Sequence, residues 1–131
     1  MIYHQYKYKF YLNLNHSIRI NEKQGEIHPH TWEIVVDIAT SDSQFKEFSQ
    51  IEKRLEQLLE KYQDQYINSI APFQEMNPTI ENAAEVFSVE IRQSIEEAGW
   101  ILLTFEISET PTRTYIINML ERELNQNSTE N

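Results

Sequence analysis

The chain has four histidines and no cysteine, and three of the histidines, His16, His28 and His30, fall close together. His28 and His30 are separated by one residue and lead into Trp32-Glu33-Ile34-Val35-Val36-Asp37-Ile38, where large apolar and polar residues alternate. Period-two alternation marks a half-buried strand, whose successive side chains point to opposite faces. A strand reaching back to His28 puts both imidazoles on the face of Trp32, Ile34, Val36 and Ile38. His16 ends another alternating run and could supply a third imidazole. Three neutral imidazoles leave a Zn2+ ion with its full charge and an open fourth position, as in catalytic rather than structural zinc sites. A bare His-x-His is more often a pair of surface histidines at a strand entrance, so the elements around it decide.

Those elements can be read in order. Tyr6, Tyr8, Phe10, Leu12 and Leu14 form one face of a first strand, with Lys7, Lys9, Tyr11 and Asn13 on the other. His16 continues the inner series. The polar stretch Arg19 to Gln24, ending at Gly25, reads as the connection to the second strand, so that a long antiparallel hairpin brings His16 near His28 and His30. Thr40-Ser41-Asp42-Ser43 is a polar break with helix-capping residues. Phe45, Phe48, Ile51, Leu55, Leu58, Leu59 and Tyr62 then recur at helical spacing. Gln63 to Asn68 closes this helix, and a loop runs through Pro72 to Met76. A second helix starts at Asn77-Pro78-Thr79, with Asn77 or Thr79 as cap and Ile80, Ala84, Phe87, Ile91, Ile95 and Ala98 as inner stripe. Gly99 ends it.

Ile101 to Glu109 reads as a third strand with Ile101, Leu103, Phe105 and Ile107 facing inward, and Glu109 next in that series. A carboxylate at the end of an apolar face is either solvated at the strand tip or held by donors. Thr112 to Asn118 is a shorter fourth strand. The predicted order ββααββ gives an α+β fold: a four-stranded antiparallel sheet with two helices packed on one face, in one domain over residues 1–118. Residues 119–131 read as a helical turn and a disordered tail. The open edges of such a sheet can be closed by assembly with other copies.

Composition narrows the function. At 131 residues with 40% hydrophobic residues, the chain can bury one core without staples. A net charge of −10, with no Lys/Arg stripe, argues against nucleic acid as a partner. An anionic small molecule would need local cations such as Arg19 or Lys23. The absence of cysteine removes disulfides, thiolate ligands and thiol nucleophiles. Neither a signal peptide nor a membrane span is expected, so the expected compartment is the cytoplasm.

These landmarks together resemble the 6-pyruvoyltetrahydropterin synthase family, which includes the 6-carboxytetrahydropterin synthases of the queuosine pathway. The resemblance runs from about Tyr6 to Tyr115. His16 is similar to the family's first zinc histidine, and His28-Pro29-His30-Thr31-Trp32 to its His-Gly-His-Asn-Tyr. Phe45-Lys46-Glu47-Phe48 with Ile51-Glu52-Lys53 resembles the opening of its first helix. Asn77-Pro78-Thr79-Ile80-Glu81-Asn82-Ala83-Ala84 is very close to its Asn-Pro-Thr-x-Glu-Asn-x-Ala, and Ser108-Glu109-Thr110 matches its Glu-Thr. The resemblance implies a tunnelling fold, in which subunits join their sheets into a barrel as a homo-oligomer, trimer or hexamer, with pockets between subunits. It implies zinc on His16, His28 and His30, acting on the side-chain oxygens of a pterin or nucleotide-derived substrate. Glu109 would accept the ring's 2-amino and N3–H donors as a fork, with Thr79 as a further contact.

The proton-transfer residues of the family do not match. The family's cysteine, a few residues before its His-x-His, falls at or near Gln24, and its Asp-His pair falls at Gln63 and Asp64. Glutamine cannot act as a general base. Glu26, on the same face as His28 and His30 by period two, and Asp64 are the candidate bases. The expectation is a zinc-dependent lyase resembling 6-pyruvoyl- or 6-carboxytetrahydropterin synthase, acting on dihydroneopterin triphosphate or a related pterin with a non-standard base. The alternatives are a non-catalytic metal- and pterin-binding sensor or carrier of the same fold, and a structural oligomer with a vestigial pocket.

Overall fold

The computed structural model describes residues 5–40 and 48–119. Its strands are β1 (Gln5–His16), β2 (Arg19–Ile20), β3 (Lys23–Gln24), β4 (His28–Thr40), β5 (Gln65–Tyr66), β6 (Trp100–Thr110) and β7 (Arg113–Asn118). Its helices are α1 (Phe48–Glu60) and α2 (Ile80–Glu97), with a 3-10 turn at Ile67–Ser69. The main sheet has the order β5-β1-β4-β6-β7, and β2 and β3 form a separate two-stranded ribbon. The four long strands pair antiparallel, as the hydrophobic pattern requires.

The strand count differs from the four expected. β5 adds a fifth strand, parallel to β1 at Leu14 and Asn15, where the sequence reads only as the close of a helix. Two residues are too few to show a period. The connection from β1 to β4 is likewise not a plain loop but the β2–β3 hairpin. It turns at Asn21 and Glu22, both at positive φ (53° and 66°), as a two-residue hairpin turn demands.

Burial follows the inner faces. Tyr8, Phe10, Leu12 and Leu14 of β1 and Trp32, Ile34, Val36 and Ile38 of β4 are buried under Ile51, Leu55 and Leu59 of α1 and Ala84, Phe87, Ile91 and Ile95 of α2. Each helix stripe recurs at three and four residues, so one side of each helix covers the sheet. Thr79 caps α2, its hydroxyl accepting from the Asn82 N–H at 3.1 Å. Past its other end Gly99 has φ 85°, a conformation that glycine takes without strain. The expected capping residues of α1, Ser41 to Ser43, and Phe45 lie outside the described residues. So does the predicted tail apart from Met119, which is buried against the core.

One inward series is corrected. In the first half of β6 the buried residues are Trp100 and Leu102, not Ile101 and Leu103. Asp37 pairs with Thr104 and Ile38 with Leu102, leaving Leu103 as an extra, bulged residue. A bulge reverses the parity of everything after it. Phe105 and Ile107 thereby return to the core face, and Glu109 follows them.

Candidate metal centre

His16 is the last residue of β1 and is paired directly with His28, the first residue of β4; His30 lies opposite Leu14. The three rings form a near-equilateral triangle, with centroids 4.5 Å (His16–His28), 4.8 Å (His16–His30) and 4.6 Å (His28–His30) apart. One nitrogen from each lies within 4.8 Å of the others.

The second nitrogens fix which atoms face inward. His16 Nδ1–H donates to the Pro78 carbonyl at 2.9 Å, and His28 Nδ1–H donates to the Glu26 carbonyl at 3.1 Å. A carbonyl can only accept, so each ring holds its proton on Nδ1 and turns the Nε2 lone pair toward the triangle. His16 is 1% exposed, and its Nε2 has no hydrogen-bond partner. Burial lowers its pKa, the neighbouring imidazoles push the same way, and the Pro78 carbonyl and Glu109 oppose them. His16 is thus kept neutral with a buried, unmet lone pair, which costs about 1–3 kcal/mol if nothing fills it. A divalent cation on three converging imidazoles meets that need, and the outer hydrogen bonds to carbonyls are those that metal-ligating histidines make. The residues fit a metal ion.

Glu109 completes the inner wall. Its Oε1 is 4.0 Å from His16 Nε2 and 3.8 Å from His30 Nε2, and it accepts from the Trp32 indole N–H at 3.1 Å. The histidines and Glu109 open into a cavity of about 650 Å3, walled also by Thr79, Arg113 and Tyr115. Thr79 therefore lines the cavity while its hydroxyl caps α2.

Side-chain amides hold this end of the sheet in place. Asn68 Nδ2–H donates to the Ser17 carbonyl at 2.8 Å while its Oδ1 accepts from the Ser17 N–H at 3.0 Å. Asn77 does the same with Arg19, both bonds at 2.9 Å. Gln63 accepts from Asn13 N–H at 2.6 Å and donates to the Tyr11 carbonyl at 3.2 Å. Three amides thus stand in for a neighbouring strand beside β1 and the segment that follows it. Sequence reasoning missed this role for all three, and missed the Pro78 carbonyl and Trp32. The available signal was the density of Asn and Gln in the Gln63 to Asn77 loop.

The other sequence candidates fall elsewhere. Glu26 precedes β4, is exposed and is not part of the cavity wall; only its carbonyl touches the site, through His28. The expectation that it shares a strand face with the histidines fails because the strand begins at His28. Asp64, at φ 60°, donates its N–H to the Asn13 carbonyl and lines a second groove with Asn13, Leu14, Asn15, Pro29, His30 and Thr31, so that His30 borders both this groove and the main cavity. Gln24 Nε2 donates to Ser17 Oγ at 2.7 Å and to Tyr66 Oη at 2.8 Å. Arg19 lines a smaller cavity of about 180 Å3 with Gln24 and Tyr66, and Lys23 is exposed on β3. Among the described residues, the cation on the histidine cavity is Arg113.

No described helix is long and apolar enough to cross a membrane. No curated protein matches the chain. Solved structures do. The 6-pyruvoyl tetrahydropterin synthase of Caenorhabditis elegans superposes with a TM-score of 0.75 at 13% identity, over 90% of this chain and 96% of that one. An uncharacterized protein of Wolinella succinogenes gives 0.68 at 12% identity, over 90% and 99%. A Plasmodium vivax 6-pyruvoyltetrahydropterin synthase, described as a catalytic residue mutant with glutamate changed to alanine, gives 0.62 at 10% identity, over 89% and 98%. At these identities the likeness establishes the shared tunnelling fold. Residues 5–119 also match the 6-pyruvoyl tetrahydropterin synthase family profile, so that sequence and fold agree and the chain belongs to the 6-pyruvoyl tetrahydropterin synthase family.

Proposed function

We propose that the chain is a zinc-dependent lyase of the 6-pyruvoyl- and 6-carboxytetrahydropterin synthase type, acting on dihydroneopterin triphosphate or a related pterin. The observation that carries this reading is the buried, partnerless Nε2 of His16, turned with His28 and His30 toward one point beside a cavity. Zinc suits three imidazoles and, when bound, supplies a Lewis acid that acidifies protons on carbons next to its oxygen ligands. Glu109 accepts the paired 2-amino and N3–H donors of the pterin ring, with Thr79 beside it on the cavity wall. Arg113 sets a cation at the same wall for an anionic group of the substrate.

The base is a carboxylate, Glu26 or Asp64. The glutamate described as catalytic in the Plasmodium vivax protein supports a carboxylate in this role. Asp64 lines a groove that shares His30 with the metal centre but is not on the main cavity wall, and it serves either its own chain's pocket or that of a neighbouring copy. The reading includes a homo-oligomer, trimer or hexamer, supported by β7 lying at the edge of the sheet among the described residues. We place it in the cytoplasm, a reading supported by the lack, among the described residues, of a helix long and apolar enough to cross a membrane.

A second reading, a non-catalytic metal- and pterin-binding module, is favoured by one observation. Gln24, where the family carries its cysteine, is bound to Ser17 and Tyr66 through its amide, which does not ionise and cannot act as a general base. Mass analysis after incubating zinc-loaded protein with dihydroneopterin triphosphate separates the two. Triphosphate elimination or side-chain cleavage that vanishes in His28→Ala and drops in Glu26→Gln or Asp64→Asn establishes the lyase. Intact substrate recovered from protein that binds it establishes the binding module.

A further inference from the structure

We infer that Trp32 is a positioning residue whose indole N–H holds the Glu109 carboxylate off the metal position and aims it into the cavity. The inference rests on the metal centre and the Glu109 anchor proposed above. Two ligands on one tetrahedral zinc ion, each about 2.0–2.1 Å from it, are separated by roughly 3.3–3.5 Å. Glu109 Oε1 lies 3.8 Å from His30 Nε2 and 4.0 Å from His16 Nε2, only slightly farther. A small rotation of this carboxylate would therefore close the open fourth position, and a closed position cannot take a substrate oxygen.

The restraint is visible. Trp32 is fully buried and donates to that same oxygen at 3.1 Å. Its ring stands edge-on to His16, with centroids 5.4 Å apart, and packs against Phe87 at 6.4 Å. The indole is a donor only and is wedged between a ligand ring and the core, so it cannot follow the carboxylate inward. Glu109 Oε2 has no protein partner among the described residues and remains open to a ligand's donors. One buried N–H thus separates two acidic roles, anchor and metal ligand, that the same carboxylate could otherwise fill.

The test compares Co2+-loaded wild type and Trp32→Phe by visible absorption during azide titration, with neopterin binding followed by fluorescence. Expected is Co2+ uptake by both. The wild-type spectrum responds to azide and the variant's does not, and neopterin binds the variant about tenfold more weakly. A variant matching wild type in both readouts overturns the inference. Because Trp32→Phe alters the core, the indole 1H–15N resonance of Trp32 is followed separately in Glu109→Ala. It shifts upfield while that of Trp100 stays in place if the bond exists, and an unmoved resonance overturns the inference. Wild type that takes up no Co2+ overturns the metal-centre reading instead, and the indole resonance then decides alone whether Trp32 holds Glu109.

Discussion

His16 and His28 are direct partners in the β1–β4 ladder, with ring centroids 4.5 Å apart at the end of the core face. A slip of one residue would send one of them to the outward face, so the site depends on the register that the buried face fixes. His16→Ala or His28→Ala is expected to cut metal affinity by at least about a hundredfold, beyond the 10–100-fold range seen when only an outer partner of a ligand is lost. Calorimetric Zn2+ titration of each variant checks it. Near wild-type binding in either one would remove it from the ligand set.

The amide bracket predicts an effect at a distance. Asn77→Ala removes both hydrogen bonds to the Arg19 backbone and one anchor of the loop that presents the Pro78 carbonyl to His16. Two net hydrogen bonds amount to about 2 kcal/mol of stability. Metal affinity should fall about tenfold or more as the His16 ring loses its fixed tautomer. Urea unfolding and metal titration of the same variant report the two losses separately. A stability loss without an affinity loss would disconnect the bracket from the metal centre.

Thr79 has two roles that substitution can separate. Its hydroxyl caps α2 and its side chain lines the cavity. Thr79→Ala should cost about 1 kcal/mol through the lost cap, whereas Thr79→Ser keeps the cap. If the hydroxyl or its backbone also contacts the pterin, Thr79→Ser binds pterin like wild type. If instead the threonine methyl packs against the ring, Thr79→Ser is as stable as wild type yet binds more weakly. Denaturation midpoints with ligand titrations distinguish these outcomes.

The legible parts of this chain are those with enough length to repeat. β1 and β4 show their inner faces over many residues, and the α2 stripe from Ile80 to Ile95 is continuous. The histidine triangle follows from those faces and one hairpin. β5 and the β2–β3 ribbon are too short to carry a period. The bulge at Leu103 was hidden because Ile101, Leu102 and Leu103 are all apolar, so either parity satisfies the pattern there. The Trp32–Glu109 bond joins residues 77 apart in sequence, and no local signal announces it. Extending period two past the point where the strand begins puts Glu26 on the histidines' strand face, whereas it lies exposed just before β4.

Tyr62 sets an alkaline limit. Its ring is fully buried against Phe73 and Phe87, and its hydroxyl donates to Glu90 at 3.3 Å. Burial first, then the Glu90 charge, pushes its pKa well above the usual phenol range. The unfolded phenol ionises near pH 10, the folded one only at higher pH, so the unfolded chain binds fewer protons above that point. Stability from this group is complete below about pH 10 and declines above it, by at most about 1.4 kcal/mol per pH unit. Urea midpoints measured between pH 8 and 11 should fall at the upper end, and less steeply in Tyr62→Phe. An equal slope in the variant would assign the decline to other groups, with Tyr8, also raised by burial, as the next to test.

Asp64 is not on the wall of the main histidine cavity but lines a neighbouring groove that shares His30 with it. If Asp64 acts as the base on a neighbouring copy, each pocket draws its metal from one copy and its base from another. His28→Ala and Asp64→Asn should then each be inactive alone, while a mixed assembly recovers activity wherever an intact Asp64 meets an intact triangle. If Glu26 is the base, it acts beside His28 of its own chain, where its carbonyl already contacts that ring. His28→Ala mixed with Glu26→Gln should then recover nothing, because both lesions fall in a single pocket half. Differently tagged subunits, denatured and refolded together and purified through both tags, provide the measurement. Recovery in the Asp64 mixture alone assigns the base to Asp64 of the neighbouring copy. No recovery in either mixture, with full loss of activity in Glu26→Gln, assigns it to Glu26.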